Sequence, residues 1–207
     1  AFASIGQARL MMTYQRIFSE YSVIASQVLL TKNIMLDPRS RENATNTFLE
    51  LLNLGTVPVV NENDTVSTSE INQVESFGDN DQLAAIVGAV VHADLVILLS
   101  DIDGLFTDDP KKNPDAEFIP FIPKINADIL EMGKSDSGSN VGTGGMSAKL
   151  AAARISTDSG ADMVIARFTS ADVITEILDG ENVGTLFAAH ENKDFDLVQY
   201  LESEENA

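Results

Sequence analysis

The amino-acid sequence predicts an α/β fold in which a parallel sheet is covered by helices. Short, unbroken apolar segments alternate along the chain with segments whose apolar residues recur at helical spacing. The run Leu95–Leu99 is apolar on both faces, which is typical of a strand buried inside a parallel sheet. This β-α-β alternation predicts helices packed on the faces of one sheet.

The first predicted elements are two helices separated by a strand. Apolar residues at helical spacing over residues 1–21 predict the first helix, and the apolar run 23–30 predicts a buried strand. Asp37 and Pro38 are typical of an N-cap and a first helical turn, and that helix is expected to end at Gly55. The chain begins inside the first helix without a methionine or a cap, so we expect a preceding segment to be missing.

The remaining elements continue the same alternation. They are a strand at 57–60, a helix at 81–92, a strand at 95–99, a loop at 101–124, a helix at 126–132, a Gly/Ser loop at 133–145, a helix at 147–159, a strand at 162–166, a helix at 171–179 and a strand at 183–187. The residues from Glu191 onwards are acidic and predict a tail that is frayed or packed peripherally. We therefore predict one domain over residues 1–190 and an acidic C-terminal tail over residues 191–207.

The charge composition restricts the partners of the chain. The 207 residues include 32 acidic and 13 basic side chains, which gives a net charge of -19. Such a molecule repels nucleic acid and anionic membrane surfaces, and no apolar run approaches the roughly 18 to 20 residues that cross a bilayer. Cysteine is absent, and His92 and His190 are too far apart in sequence to suggest a zinc site. A cytoplasmic location is expected.

Two clusters of polar residues lie next to predicted apolar elements, one after a strand and one before a helix. Asn61–Asp64 comes after the strand 57–60, and Gly78–Asp81 opens the next helix. Ligands of open α/β sheets bind at the carboxyl ends of the strands, so these side chains are placed to hold a small polar molecule or a metal. Alternatively, the first cluster is a solvated turn and the second is a helix cap.

A glycine-rich segment, Gly142–Lys149, leads into a predicted helix. Its backbone N–H groups and the positive end of the helix dipole favour an anion, and Lys149 in the first turn adds a full positive charge. The segment is not a Walker A loop, because Leu150 rather than Ser or Thr follows the lysine. The alternative is a flexible connection without a ligand.

The segment Ser100–Thr107 follows the apolar strand and contains an Asp-x-Asp-Gly pattern. Haloacid-dehalogenase-type phosphatases carry a nucleophilic aspartate and an acid/base aspartate in this pattern, which would assign those roles to Asp101 and Asp103. Leu105 stands where such proteins usually have threonine. A tight turn that uses aspartate side chains and Gly104 is the alternative.

Taken in order, several segments resemble those of the amino acid kinase family. The segments are 58–64, 78–83, 98–110, 142–150 and 183–187. The resemblance covers roughly residues 1–190 and implies a three-layer αβα sandwich around a mostly parallel sheet. Family members carry a first strand and further ATP-contacting loops before the point where this chain starts, so the resemblance implies an N-terminally incomplete domain.

The resemblance also implies an activity. The segments are most similar to those of members that transfer the γ-phosphoryl group of ATP, with Mg²⁺, to the γ-carboxylate of L-glutamate in the first step of proline biosynthesis. Proline as a feedback inhibitor and a homo-oligomer are further expectations. Alternatives are a family member that acts on acetylglutamate, aspartate or uridylate, and a catalytically incomplete regulatory or interaction fragment. The fragment alone is expected to be inactive.

The resemblance assigns roles to particular residues. Asp64 and Asn80 are expected to hold glutamate, while Asp81 and Lys149 are the expected catalytic residues, with Asp81 organising the lysines around the transferred phosphoryl group. No protein ligand of a metal is predicted. The expected nucleotide-binding residues are Ser100, Asp101, Thr143, Gly144, Gly145, Met146, Ser147, Ala148 and Lys149.

Overall fold

A computed structural model describes residues 2–66, 77, 79–133, 145–190 and 192–204. The chain folds as two compact units, a first unit of Ala1–Phe77 with Asp196–Ala207 and a second unit of Gly78–Phe195. The elements are, in chain order, α1 (Phe2–Ser19), β1 (Ile24–Leu30), α2 (Lys32–Leu36), α3 (Pro38–Asn53), β2 (Thr56–Glu62), α4 (Asn80–Val90), β3 (Leu95–Ser100), β4 (Leu105–Phe106), β5 (Phe118–Ile119), β6 (Phe121–Ile122), α5 (Ala127–Met132), α6 (Met146–Asp158), β7 (Asp162–Arg167), α7 (Asp172–Leu178), β8 (Thr185–Phe187) and α8 (Leu197–Glu204).

Two parallel strands organise the first unit. β1 pairs with β2 in a register that places Ile24 opposite Thr56. α3 begins where the sequence predicts, because the Asp37 side chain accepts a hydrogen bond of 2.7 Å from the backbone N–H of Ser40. Pro38 occupies the first turn, where its missing N–H leaves no helical bond unmade.

The predicted acidic tail contains a helix. α8 belongs to the first unit, and its Leu201 is only 1% exposed. Of the two alternatives predicted for the tail, Leu197–Glu204 is packed rather than frayed, because Leu197 and Leu201 recur at helical spacing and give the segment an apolar side to bury. The boundary at residue 190 stays a prediction.

α1 presents apolar side chains to solvent. None of its described residues is buried, and Phe2 and Met12 are 92% and 73% exposed. Among the helices of the described ranges, none is long and apolar enough to cross a membrane.

The second unit contains a four-stranded sheet in the order β3-β7-β8-β6. β3 runs parallel to β7 and β6 parallel to β8, whereas β7 and β8 are antiparallel. Gly184, in the turn before β8, has a φ of +74°, and a Cβ there would lie 2.8 Å from that of Ala166. The predicted mostly parallel sheet is confirmed, with one antiparallel pairing that apolar periodicity does not reveal.

The core of the second unit lies between the sheet and two helices. α4, α6 and β7 supply fully buried apolar side chains, among them Ile86, Leu150 and Ile165. β3 is less buried than its composition predicts, because it pairs only with β7 in the described sheet and leaves Leu99 38% exposed.

The predicted loop 101–124 contains three short strands. β4 pairs with β5 in an antiparallel arrangement, with Leu105 opposite Ile119, and β6 joins the main sheet. The expectation of a connection without strands was wrong here, since two-residue strands are too short to produce a periodic pattern.

Candidate active site

Asp81 and Lys149 meet where α4 and α6 begin. Nζ of Lys149 lies 2.7 Å from Oδ2 of Asp81, although the residues are 68 positions apart. The Lys149 side chain is 11% exposed and the Asp81 side chain is 22% exposed. A charge that is largely withdrawn from water needs such a partner. Gly145 is the N-cap of α6, and no side chain of the described residues caps this end. The positive end of the helix dipole and the Lys149 ammonium group therefore lie at the same end of α6.

A pocket of about 410 Å³ in the second unit includes this helix start. Its wall contains Gly145, Met146 and Lys149 from the glycine-rich segment and the start of α6, and Asp101 from the segment after β3. Four of the chain's 13 lysine and arginine residues line it, namely Lys111, Lys112, Lys149 and Arg167. Four aspartates line the same pocket, namely Asp101, Asp103, Asp108 and Asp109, so the formal charges of its lining balance within a chain of net charge -19. An anionic ligand therefore meets less repulsion in this pocket than the net charge of the whole molecule implies.

Arg167 is a pocket residue that the sequence analysis did not identify. It is the last residue of β7, and its guanidinium group binds both carboxylate oxygens of Asp103. This hydrogen bonding lowers the pKa of the Asp103 carboxyl and raises the pKa of Arg167. Since both oxygens of Asp103 accept from Arg167, the structure favours a structural role for Asp103 over the acid/base role in the phosphatase interpretation.

Asp79 belongs to the predicted polar cluster Gly78–Asp81 but was given no role of its own among the predicted site residues. Its Oδ1 accepts a hydrogen bond from the backbone N–H of Gln82, as expected of an N-cap, whereas its buried Oδ2 has no partner among the described residues. Desolvation by burial raises the pKa of the Asp79 carboxyl, and the nearby charge of Asp81 raises it further. A raised carboxyl pKa beside an ion pair is typical of functional sites.

The raised pKa of Asp79 predicts a pH dependence of stability. Its contribution to the free energy of unfolding is fully present below the ordinary pKa of 3.8 and is lost as the pH rises through the higher folded-state pKa. Asparagine can cap a helix but does not titrate in this range. We therefore expect the melting temperature of the Asp79→Asn variant, relative to the unchanged protein, to rise with pH above 3.8. Thermal unfolding over a pH series measures this difference.

Asp37→Asn is the matched control. Asp37 is also an N-cap, but hydrogen bonds from Ser40 lower the pKa of its carboxyl. Its contribution is present above the ordinary pKa and is lost as the pH falls through the folded-state value. The relative melting temperature of this variant should therefore fall as the pH rises. A difference for Asp79→Asn that stays constant with pH would contradict the assignment.

The polar cluster Asn61–Asp64 belongs to the first unit, and its Asn61 and Glu62 are the last two residues of β2. Asn61 donates a hydrogen bond of 3.1 Å to the Gln7 side chain of α1, and the Glu62 carboxylate accepts one from the backbone N–H of Phe77. Asp64 is exposed and lines a cavity of about 280 Å³ together with Gln7 and Asn61. The predicted glutamate-binding side chain is thus available to a small polar ligand.

The other predicted site residues are placed as follows. Asn80 is exposed at the first position of α4, and the Ser100 hydroxyl donates a 3.3 Å hydrogen bond to the Asp101 carboxylate. Ser147 is exposed and Ala148 is half-buried in the first turn of α6. Thr143 and Gly144 lie outside the described residues. No group of three or more His, Cys, Asp or Glu residues that could hold a metal occurs within the described ranges.

The glycine N-cap of α6, its lysine paired with Asp81 and the four basic side chains of the pocket wall are typical of proteins that bind a phosphorylated ligand on an α/β scaffold. Residues 1–167 match the amino acid kinase family, and the chain belongs to this family. Its curated relatives include proteins named glutamate 5-kinase. The protein of Clostridium perfringens is 44% identical over 189 residues, which are 91% of this chain and 70% of that protein.

Two further curated relatives carry the same name. The protein of Enterococcus faecalis is 47% identical over 187 residues, which cover 90% of this chain and 69% of the relative. The protein of Carboxydothermus hydrogenoformans is 50% identical over 193 residues, which cover 93% of this chain and 50% of the relative.

Solved structures with a similar fold include two other kinases. Isopentenyl phosphate kinase of T. acidophilum has a TM-score of 0.57 at 17% identity, covering 87% of this chain and 66% of that one. UMP kinase of Bacillus anthracis has a TM-score of 0.55 at 19% identity, covering 88% and 64%. At such identities the likeness concerns the fold alone, and it confirms the predicted amino acid kinase fold.

Proposed function

We propose that this chain is part of an enzyme that transfers the γ-phosphoryl group of ATP to the γ-carboxylate of L-glutamate, the first step of proline biosynthesis, in the cytoplasm. The pairing of Lys149 with Asp81 at the start of α6, where Gly145 is the N-cap, is the observation that carries the proposal. The relatives named glutamate 5-kinase support glutamate as the acceptor.

The chemistry fits these side chains. A carboxylate oxygen of glutamate forms a bond to the γ-phosphorus while the bond to the oxygen that bridges to the β-phosphorus breaks, which gives γ-glutamyl phosphate and ADP. The carboxylate is already ionised, so the reaction needs alignment and charge neutralisation rather than a strong base. Lys149 would supply positive charge to the transferred oxygens, and Asp81 would hold its ammonium group in place.

The pocket of about 410 Å³ would bind the nucleotide. Its volume lies within the range of small-molecule sites, about 300 to 1,000 Å³. Asp101 in the wall and Ser100 beside it correspond to the predicted nucleotide contacts, while Gly145–Lys149 would meet the phosphates. The roles of Thr143 and Gly144 rest on the family resemblance.

Mg²⁺ is proposed to bind together with ATP. This ion commonly binds through substrate phosphates and one or two carboxylates, and keeps several waters. The donor set of the pocket fits such binding, because Asp101 lies in the wall without an ion-pair partner among the described residues. Asp101 would hold the ion beside the phosphates. The ion would neutralise negative charge on the phosphate oxygens.

Proline inhibition and a homo-oligomer stay predictions. We expect proline to act through residues 65–77, which follow the predicted glutamate-binding Asp64 and lie mostly outside the described residues. The exposed apolar side chains of α1 support self-association.

The Asp64→Ala and Asn80→Ala variants are expected to raise the KM for glutamate and to leave the affinity for ATP nearly unchanged. Each removes a polar partner of the bound amino acid, and leaving a ligand group unpaired costs about 1 to 3 kcal/mol. Steady-state kinetics with each substrate varied separately measures the effect. Equal changes for both substrates would indicate that these side chains support the fold instead.

A hydroxamate assay tests the proposed function. The full-length protein that contains this chain is incubated with ATP, Mg²⁺, hydroxylamine and one of four acceptors: L-glutamate, acetylglutamate, aspartate or UMP. Hydroxylamine traps γ-glutamyl phosphate, and ADP release is measured in parallel for UMP, which gives no acyl phosphate. Formation of hydroxamate with glutamate by the full-length protein is the expected result, whereas residues 1–207 alone are expected to be inactive. Turnover with another acceptor alone, or with none, would favour another family activity or a catalytically incomplete fragment.

A further inference from the structure

Asp103 and Arg167 form a bidentate ion pair in the wall of the second-unit pocket. Nε of Arg167 donates to Oδ1 of Asp103 over 2.6 Å, and Nη2 donates to Oδ2 over 3.2 Å. Two parallel N–H···O bonds fix the relative orientation of the two groups as well as their separation. The proposed phosphoryl transfer does not involve this pair directly.

The pair ties a loop to the neighbouring strand. Ser100 and Arg167 end the adjacent parallel strands β3 and β7 opposite one another, and the backbone N–H of Phe168 donates to the Ser100 carbonyl over 2.8 Å. Asp103 lies three residues beyond Ser100. Its bond to Arg167 therefore holds the chain that leaves β3 against the end of β7.

A second anchor follows two residues later. The backbone N–H of Leu105 donates a hydrogen bond of 2.8 Å to the hydroxyl oxygen of Thr185. The Thr185 side chain is fully buried, and its hydroxyl group donates a hydrogen bond to the Ile119 carbonyl. Between the anchors, Gly104 has a φ of +149°, and a Cβ there would lie 2.9 Å from a ring carbon of Phe118. The pocket-wall segment 101–106 is thus held from β7 by Arg167 and from β8 by Thr185.

The Asp103–Arg167 pair is expected to contribute little to the stability of the fold. Its side chains are 46% and 56% exposed, and ion pairs so open to water contribute little to folding because solvent screens them. The function of a site depends more strongly on where its wall lies, because a displacement of about 1 Å can change catalysis by about 100-fold.

We propose that the Asp103–Arg167 ion pair is a positioning device that fixes the pocket-wall segment 101–106 and thereby sets the affinity for ATP. The proposal rests on the assignment of this pocket to the nucleotide. Neither residue touches the reacting phosphoryl group in this scheme, so both act through the shape of the wall.

A double-mutant cycle tests the pair. The proteins compared are Arg167→Ala, Asp103→Ala, the double variant and the unchanged protein, with the Kd for ATP measured by calorimetry and the KM values for ATP and glutamate by kinetics. We expect each single change to raise the Kd and KM for ATP about 5- to 10-fold, and the double change to raise them no further. The KM for glutamate and the melting temperature should change little.

Two additional variants separate geometry from charge. Arg167→Lys keeps the positive charge but cannot form the fork, so it should weaken ATP binding nearly as much as Arg167→Ala. Arg154→Ala is the control. It removes another half-exposed arginine of the second unit, whose Nε lies 3.6 Å from Oδ2 of the buried Asp158, away from the pocket lining. Asp158 keeps its second contact, with His190. The Arg154→Ala variant should leave ATP binding unchanged.

The outcomes are distinguishable. Weaker ATP binding after Arg167→Ala but not after Asp103→Ala would mean that Arg167 contacts ATP itself, which overturns the proposal. Additive effects in the double variant, or no effect in any variant, would also overturn it. If the unchanged protein binds no ATP, the nucleotide pocket is wrong and the proposed role falls with it. If it binds ATP but does not phosphorylate glutamate, only the proposed acceptor fails, and the calorimetric cycle still decides the role of the pair.

Discussion

The Lys149→Ala variant is expected to lose about 100-fold or more of its kcat/KM for ATP while its KM for glutamate stays nearly constant. Removing one electrostatic contact to the charge that develops in a transition state typically costs about 3 kcal/mol. Lys149 is suited to such a contact because its side chain is 11% exposed and stands in the first turn of α6. A charge shielded from water acts more strongly on a neighbouring phosphate than one in bulk solvent.

A second substitution at Lys149 separates charge from packing. Alanine removes the four-carbon stem as well as the ammonium group, whereas Lys149→Met keeps a side chain of similar length. Both variants should lose ATP-dependent turnover if the charge is what matters. Initial rates at varied ATP, together with the melting temperature of each variant, provide the comparison.

Lys124→Ala is the matched control for the charge change. Lys124 is an exposed lysine of the second unit that lines a different cavity. This substitution changes the net charge by the same amount as Lys149→Ala and should leave kcat and the KM for ATP unchanged. Unchanged kinetics in the Lys149 variants, by contrast, would refute the assignment of this lysine.

Local sequence signals predicted much of the secondary structure. The α/β alternation follows from apolar periodicity, and the starts of α3 and α4 follow from Asp37 and Asp79, whose side chains bond to N–H groups three residues ahead. Such interactions depend on a few neighbouring residues, so a single sequence reveals them. α8 was not predicted, because the segment is short and its few apolar residues around Leu201 stand among acidic residues.

The site was predicted only in part because its contacts are distant in sequence. Lys149 stood out through the glycines before it, but its bond to Asp81 spans 68 positions and was expected only from the family resemblance. Arg167 gave no local signal, since an arginine at a strand end resembles any solvated charge. Its partner Asp103 is 64 positions away, so only the pairing of β3 with β7 brings the two together.

Asp81 is the position of the second large effect. The Asp81→Asn variant is expected to lower kcat by about 100-fold, because the ammonium group of Lys149 loses the carboxylate that positions it, and a shift of about 1 Å can reduce turnover by that factor. Asp128→Asn provides the comparison, since Asp128 is also an aspartate in the first turn of a helix of the second unit but lies outside the pocket lining. It should keep full activity.

A double-mutant cycle shows whether Asp81 acts through Lys149. Side chains that form one unit give non-additive losses, so adding Asp81→Asn to Lys149→Met should reduce kcat little beyond Lys149→Met alone. The melting temperature gives a second readout: the double variant should be more stable than Lys149→Met, which leaves Asp81 partly buried without its cation. If the losses in kcat multiply instead, Asp81 contributes independently of the lysine, and its role as the residue that positions the ammonium group is wrong.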